Sequence, residues 1–153
     1  MNYHDIQINN QYQRLTFSQS SIEALFKTLD SLKNFPIPPG ELSIAFLNDL
    51  TIAQIHNDFL NDPTPTDVIT FPPNPDFDLA GEICVSVDHA ISSSQNLNIP
   101  FPQELTLYLV HGWLHLAGLN DLTDEQKITM RTAEKHVMET LKKAGTMPDF
   151  HLL

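Results

Sequence analysis

Two histidines four residues apart, His111 and His115, interrupt the most apolar run of the chain, Leu105 to Leu119, and Asp121 follows shortly after. On an α-helix, positions i and i+4 lie one above the other, so both imidazoles project to the same side. That is the spacing at which a helix offers two nitrogens to one metal ion. Gly118 suits the left-handed conformation that ends a helix. The chain can then turn back and swing the Asp121 carboxylate to the same point. Two histidines and one carboxylate leave a coordination position open, the arrangement of a catalytic rather than a structural site. A histidine pair at this spacing is often incidental, but unpaired imidazoles are costly to bury in a central apolar helix. His111, His115 and Asp121 are therefore expected to hold one divalent transition metal.

Other chemistry-bearing residues read as less specific. His56, His89, His136 and His151 sit beside polar residues and are expected to be solvated. Glu82 and Asp67 precede apolar strand stretches, so each is either a cap or a site carboxylate, and both are weak candidates for a general base. Cys84 is the one cysteine of the chain, which excludes an internal disulfide and a Cys-built zinc site. It reads as a small core residue, and a reducing cytoplasm is the expected location.

The elements that must position these groups follow from pattern. Ile6 and Ile8 alternate as a first strand, and Leu42, Ile44 and Phe46 as a second. Ser20 to Glu23 has the form of a capping box opening a helix through Leu32. Asn48 can cap a short helix over Ile52, Ile55 and Phe59. Asp67–Phe71, between proline clusters, is expected at a sheet edge or beside a groove, because proline has no N–H for the ladder. Ile83, Val85 and Val87 form a further strand, with Asp88 capping the next helix. A helix opened by Pro100 or Pro102 is apolar nearly all round and belongs in the centre of the fold. Thr123 to Gln126 is a second capping box, before a helix carrying Met130, Ala133, Val137, Leu141 and Ala144 at helical spacing. The expected architecture is α+β: a small mixed β-sheet packed with helices around a central metal-bearing helix, one domain over residues 1–153.

With 41% hydrophobic and 18% charged residues the chain is globular. It carries no secretory start and no run of about 20 apolar residues able to span a bilayer. The net charge is −11, and no Lys or Arg occurs between Asn34 and Gln126, a span holding thirteen Asp or Glu. Unassisted binding to a polyanion is therefore opposed. Lys127, Arg131, Lys135 and Lys142 share one face of the last helix, distinct from its apolar stripe. If RNA is bound, contact is expected through them.

Three segments, in order, resemble the YbeY family of bacterial rRNA maturation factors. The signature HGxLHLxGYDH reads HGWLHLAGLND from His111; PTDVLSFP reads PTDVITFP from Pro65; LGD before a strand reads Ala80-Gly81-Glu82. The resemblance covers roughly residues 40 to 145. It implies an α+β fold, a zinc-type metal and single-strand-specific endoribonuclease activity in small-subunit rRNA 3′-end maturation and ribosome quality control. Its implied partners are rRNA or the pre-ribosomal small subunit, with a ribosomal protein or an assembly GTPase as a possible carrier, and no membrane. The family's metal histidines fall on His111, His115 and, for the third, Asp121, which favours somewhat harder ions than a third imidazole would. Asn120 replaces the motif's acid. Leu60 stands where the family commonly has an arginine, and leucine cannot bind a phosphate. A metal-stabilised ribosome-assembly factor that binds without cutting is thus the alternative to an enzyme. The spacing HxxxHxxGxxD is also similar to some metzincin proteases, but their general-base glutamate would fall on Gly112.

Overall fold

A computed structural model describes residues 4–153. The elements in chain order are β1 His4–Asn10, β2 Leu15–Thr16, α1 Gln19–Asp30, β3 Gly40–Leu47, α2 Asp49–Leu60, β4 Val68–Phe71, β5 Leu79–Ser86, α3 Val87–Leu97, α4 Phe101–Leu116, α5 Asp124–Ala144 and β6 His151–Leu152. β1, β3 and β5 are parallel, and β4 adds antiparallel to β5, in the order β1-β3-β5-β4. The proline-flanked segment is therefore an edge strand, consistent with flanks whose prolines cannot donate to a ladder. β2 and β6 form a separate two-stranded clip.

The sheet's two faces are unequal. Leu42, Ile44, Phe46, Ile83 and Val85 meet α1, α4 and α5 in the main core, whereas Ala45, Leu47, Ile69 and Cys84 lie under Ile52 of α2. α4 runs through the centre, with Leu105, Leu109, Val110, Trp113 and Leu114 buried. The indole N–H of Trp113 donates to the Phe35 carbonyl at 2.9 Å, so its burial leaves no donor unpaired. Two glycines bring α4 close to the sheet. A Cβ on Gly112 would lie 2.5 Å from Ile83 Cγ2, and one on Gly81 would lie 2.7 Å from Leu116.

Caps follow the expectations only in part. Asn48 caps α2 through Thr51 N–H, and Thr123 with Gln126 completes the capping box of α5. α1 instead begins at Gln19 behind Ser18, because Asp149 draws the Ser18 N–H and hydroxyl and the Ser21 hydroxyl toward the C-terminal segment. Val87 opens α3 rather than ending β5, and Ser86 caps it. Asp88 is occupied otherwise, accepting from the Tyr12 hydroxyl and the Asp49 N–H. Pro100 is the N-cap of α4 and Pro102 lies in its first turn. Ala144, at the exposed end of α5, does not join the core stripe. No helix among the described residues is long and apolar enough to cross a membrane.

Candidate metal centre

The last turn of α4 builds the site. Gly118 has φ +102°, Leu119 N–H returns to Leu114 O at 3.0 Å, and Gly118 N–H bonds His115 O at 3.0 Å. This paired closure is the Schellman turn that a left-handed glycine permits. It swings the Leu119 carbonyl beneath His115, 2.9 Å from Nδ1. Asp121 then reaches back, with its Oδ2 3.5 Å from the Nε2 of both His111 and His115. The two Nε2 atoms are 3.0 Å apart.

The hydrogen atoms decide what this triangle is. A carbonyl can only accept, so Nδ1 of His115 is the donor to Leu119. Nδ1 of His111 likewise donates to Glu134 Oε2, 3.1 Å away. In the neutral tautomers both Nε2 atoms are then bare, and they face each other and a carboxylate. Three lone pairs pointing at one spot repel unless a cation or an extra proton lies there. Ligand bonds of about 2.0–2.2 Å at tetrahedral angles put neighbouring ligand atoms roughly 3.3–3.6 Å apart. Edges of 3.0, 3.5 and 3.5 Å are close to that size. The donor set thus fits a divalent transition metal, with one side open.

Glu134 on α5 completes the arrangement. Orienting a ligand histidine through its other nitrogen fixes the tautomer and raises its basicity. Burial works against the charged form of His111, but the Glu134 hydrogen bond and the charges of Glu134, Asp67 and Asp121 outweigh it, so its pKa is raised. Glu134 is a site residue that the sequence motifs do not single out. Its spacing from Met130 (four) and Val137 (three) already places it on the inner side of α5.

Beside the triangle lies a cleft of about 390 Å³ between α3, α4 and α5, lined among others by Asp67, Glu104, Tyr108, His111, Asp121 and Glu134. His89, expected to be merely solvated, stands exposed on its rim. Lys127 and Arg131 border it; Lys135 and Lys142 line an adjoining groove over Leu107, Met138 and Met147. The four cations are therefore divided between two hollows that share Glu104 and Leu107. None is in an ion pair among the described residues. Asp67 keeps its candidacy as a site carboxylate. Glu82 does not line the cleft: it accepts from Cys84 Sγ at 3.9 Å on the α2 side of the sheet. Leu60 ends α2, is 62% exposed and does not line the cleft either. His56 is half-buried against the Thr64 carbonyl, and His136 and His151 are exposed. The histidine that sequence reading passed over is His4, buried between Asp30 and the Pro38 carbonyl.

Fold and site together define a small α+β protein whose central helix presents an open two-histidine, one-carboxylate cradle. The chain belongs to the YbeY family: the family model described as Endoribonuclease YbeY matches residues 5–142. It is 36% identical to the "Endoribonuclease YbeY" of Protochlamydia amoebophila, over 90% of this chain and 93% of that one. It is 31% identical to that of Chlamydia pneumoniae, over 90% and 91%. The solution structure of TM1509 from Thermotoga maritima superposes with a TM-score of 0.63 at 25% identity, over 90% and 89% of the two chains.

Proposed function

We propose that this protein is a metal-dependent endoribonuclease that cuts single-stranded RNA, with zinc as the metal and small-subunit rRNA 3′-end maturation and ribosome quality control as its setting. The observation that carries the reading is the convergence of His111 Nε2, His115 Nε2 and Asp121 Oδ2 on one point, in a chain whose relatives are named endoribonucleases. A divalent ion in this cradle supplies a Lewis acid for a phosphoryl oxygen and a water of lowered pKa. His111, His115 and Asp121 hold it, while Glu134 and the Leu119 carbonyl keep both imidazoles in the ligating tautomer. Asp67, across the cleft, is the better placed of the two acids to take a proton from an attacking hydroxyl. Lys127 and Arg131 stand where phosphates of a bound strand would pass, and Lys135 and Lys142 extend that track. The strand belongs to rRNA or a pre-ribosomal small subunit in the cytoplasm, with a ribosomal protein or an assembly GTPase as a carrier offsetting the net charge of −11.

Binding without cutting is the second reading, and exposed Leu60 in the arginine's place favours it. Proteolysis has no such support. A glutamate at position 112 would start with a Cβ 2.5 Å from Ile83. The deciding experiment joins metal analysis of the native protein to cleavage of single-stranded RNA, with and without chelator. Cleavage that zinc restores after chelation is expected. Metal-dependent binding with no cleavage would establish the assembly factor, and cleavage surviving removal of all metal would sink the mechanism.

A further inference from the structure

α4 carries more than its two histidines on the cleft side. Glu104, Tyr108, His111 and His115 follow at spacings of four, three and four, so they form one stripe along the helix. Glu104 is only 5% exposed, an unusual place for an acid. Its Oε2 accepts from the Ser93 hydroxyl of α3 at 2.7 Å and from the Tyr108 hydroxyl at 3.1 Å. Burial and the neighbouring Glu104 push the Tyr108 phenol pKa up, so it remains a donor. Oε1 takes no hydrogen bond among the described residues and is not fully buried, and Glu104 lines both hollows. The result is a carboxyl group locked by two donors on one oxygen and offering the other to whatever enters.

An acidic acceptor cannot face a phosphate, so it must face a donor. A nucleotide strand has two kinds, ribose hydroxyls and the N–H groups of bases. A carboxylate that accepts from two adjacent base N–H groups needs both oxygens, and here one is already filled by Ser93 and Tyr108. A lone cytosine N4–H is the base donor that remains, and sensitivity to base identity separates it from a hydroxyl. A single hydroxyl fits the single free oxygen. Glu104 is seven residues from His111, about 10 Å along the helix at 1.5 Å per residue. It is therefore beyond reach of the phosphate at the metal.

Resting on the ribonuclease reading, we propose that Glu104 is a specificity-determining residue. Its free oxygen accepts a hydrogen bond from the ribose 2′-hydroxyl of a nucleotide near, but not at, the cleaved bond, and so selects RNA over DNA.

The test uses the metal-loaded protein and a single-stranded RNA with one mapped cleavage site, carrying a single 2′-deoxy substitution moved along the strand. For the wild type, one position other than the cleaved nucleotide is expected to lower kcat/KM on the order of 10- to 100-fold, as befits a lost bond to a charged group. Glu104→Ala should cut the all-ribose strand more slowly, hold the same metal, and lose most of the penalty at that position. Glu104→Gln keeps the volume if the alanine variant folds poorly, and its penalty should shrink several-fold. An equal penalty in wild type and variants would reduce Glu104 to a strut between α3 and α4. Sensitivity at that position to base identity, and not to the 2′-hydroxyl, would overturn the assignment in favour of base reading. Metal-loaded wild type that cuts no RNA sinks the ribonuclease reading and this inference together; RNA cut with no such deoxy position sinks the inference alone.

Discussion

Asp121 Oδ2 sits 3.5 Å from Nε2 of both His111 and His115 but on a segment beyond the helix, so its role is separable from theirs. Asp121→His should retain metal, whereas Asp121→Ala should lose at least the ~10–100-fold in affinity that even outer partners contribute. Equal affinity of wild type and alanine variant in a competition titration would remove Asp121 from the site. His111→Ala with His115→Ala should abolish retention altogether. Protons compete with the metal. The raised pKa of His111 means that its protonation stabilises the metal-free protein, fully below about 6.5 and decreasingly as pH rises through the folded value. Metal needs the neutral ring, so its contribution is lost as pH falls through that same range. The melting-temperature gap between loaded and metal-free protein should therefore close between about pH 8 and pH 5. A constant gap would mean that His111 is not a ligand.

At the scale of elements, the contact between α4 and β5 sets where the ligands point. Gly112→Ala would drive a methyl into Ile83 Cγ2, and overpacking of this kind costs about 1–3 kcal/mol. Ile83→Ala alone leaves a cavity, but the double variant should be more stable than the sum of the singles predicts. Strict additivity in thermal unfolding would show that the close approach is relieved elsewhere. α5 makes a different contribution: the face it turns to the cleft carries Glu134 to His111, with the cations Lys127 and Arg131 on the same border. Reversing Arg131 and Lys135 to Glu should weaken RNA binding and flatten the salt dependence by roughly 0.7 per lost phosphate contact, with metal content unchanged. An unaltered slope would mean that another molecule supplies the phosphate contacts.

Across the whole molecule, the C-terminal segment is tied back to the start of the chain. Phe150 is buried against Phe17 and Phe46, Asp149 binds Ser18 and Ser21, and β6 pairs with β2. Phe150→Ala should cost about 3–5 kcal/mol in denaturant unfolding. Because no residue of this clip lines the cleft beside Asp121, affinity for metal in the folded state should hardly change. A large loss of affinity would reveal coupling between the clip and the end of α4.

Spacing and side-chain type by themselves picked out the three candidate ligands that the fold brings together, His111, His115 and Asp121, since a two-histidine helix face, a left-handed glycine and a following acid are local features. The central place of α4, the edge position of β4 and the caps at Asn48 and Thr123 were likewise legible, because periodicity, proline and short polar side chains act within a few residues. The cap at Ser18 was not, since its partner Asp149 is 131 residues away. Nor was the β2–β6 clip, whose two-residue strands are too short for any alternation to register. Only the tertiary structure brought Glu134 to His111, left Glu82 on the far side of the sheet, divided the four cations between two hollows and set Glu104 against Ser93. Each of those outcomes depends on how helices pack across a sheet. Packing is chosen by the summed shape of many side chains, and no single stretch of sequence carries that sum.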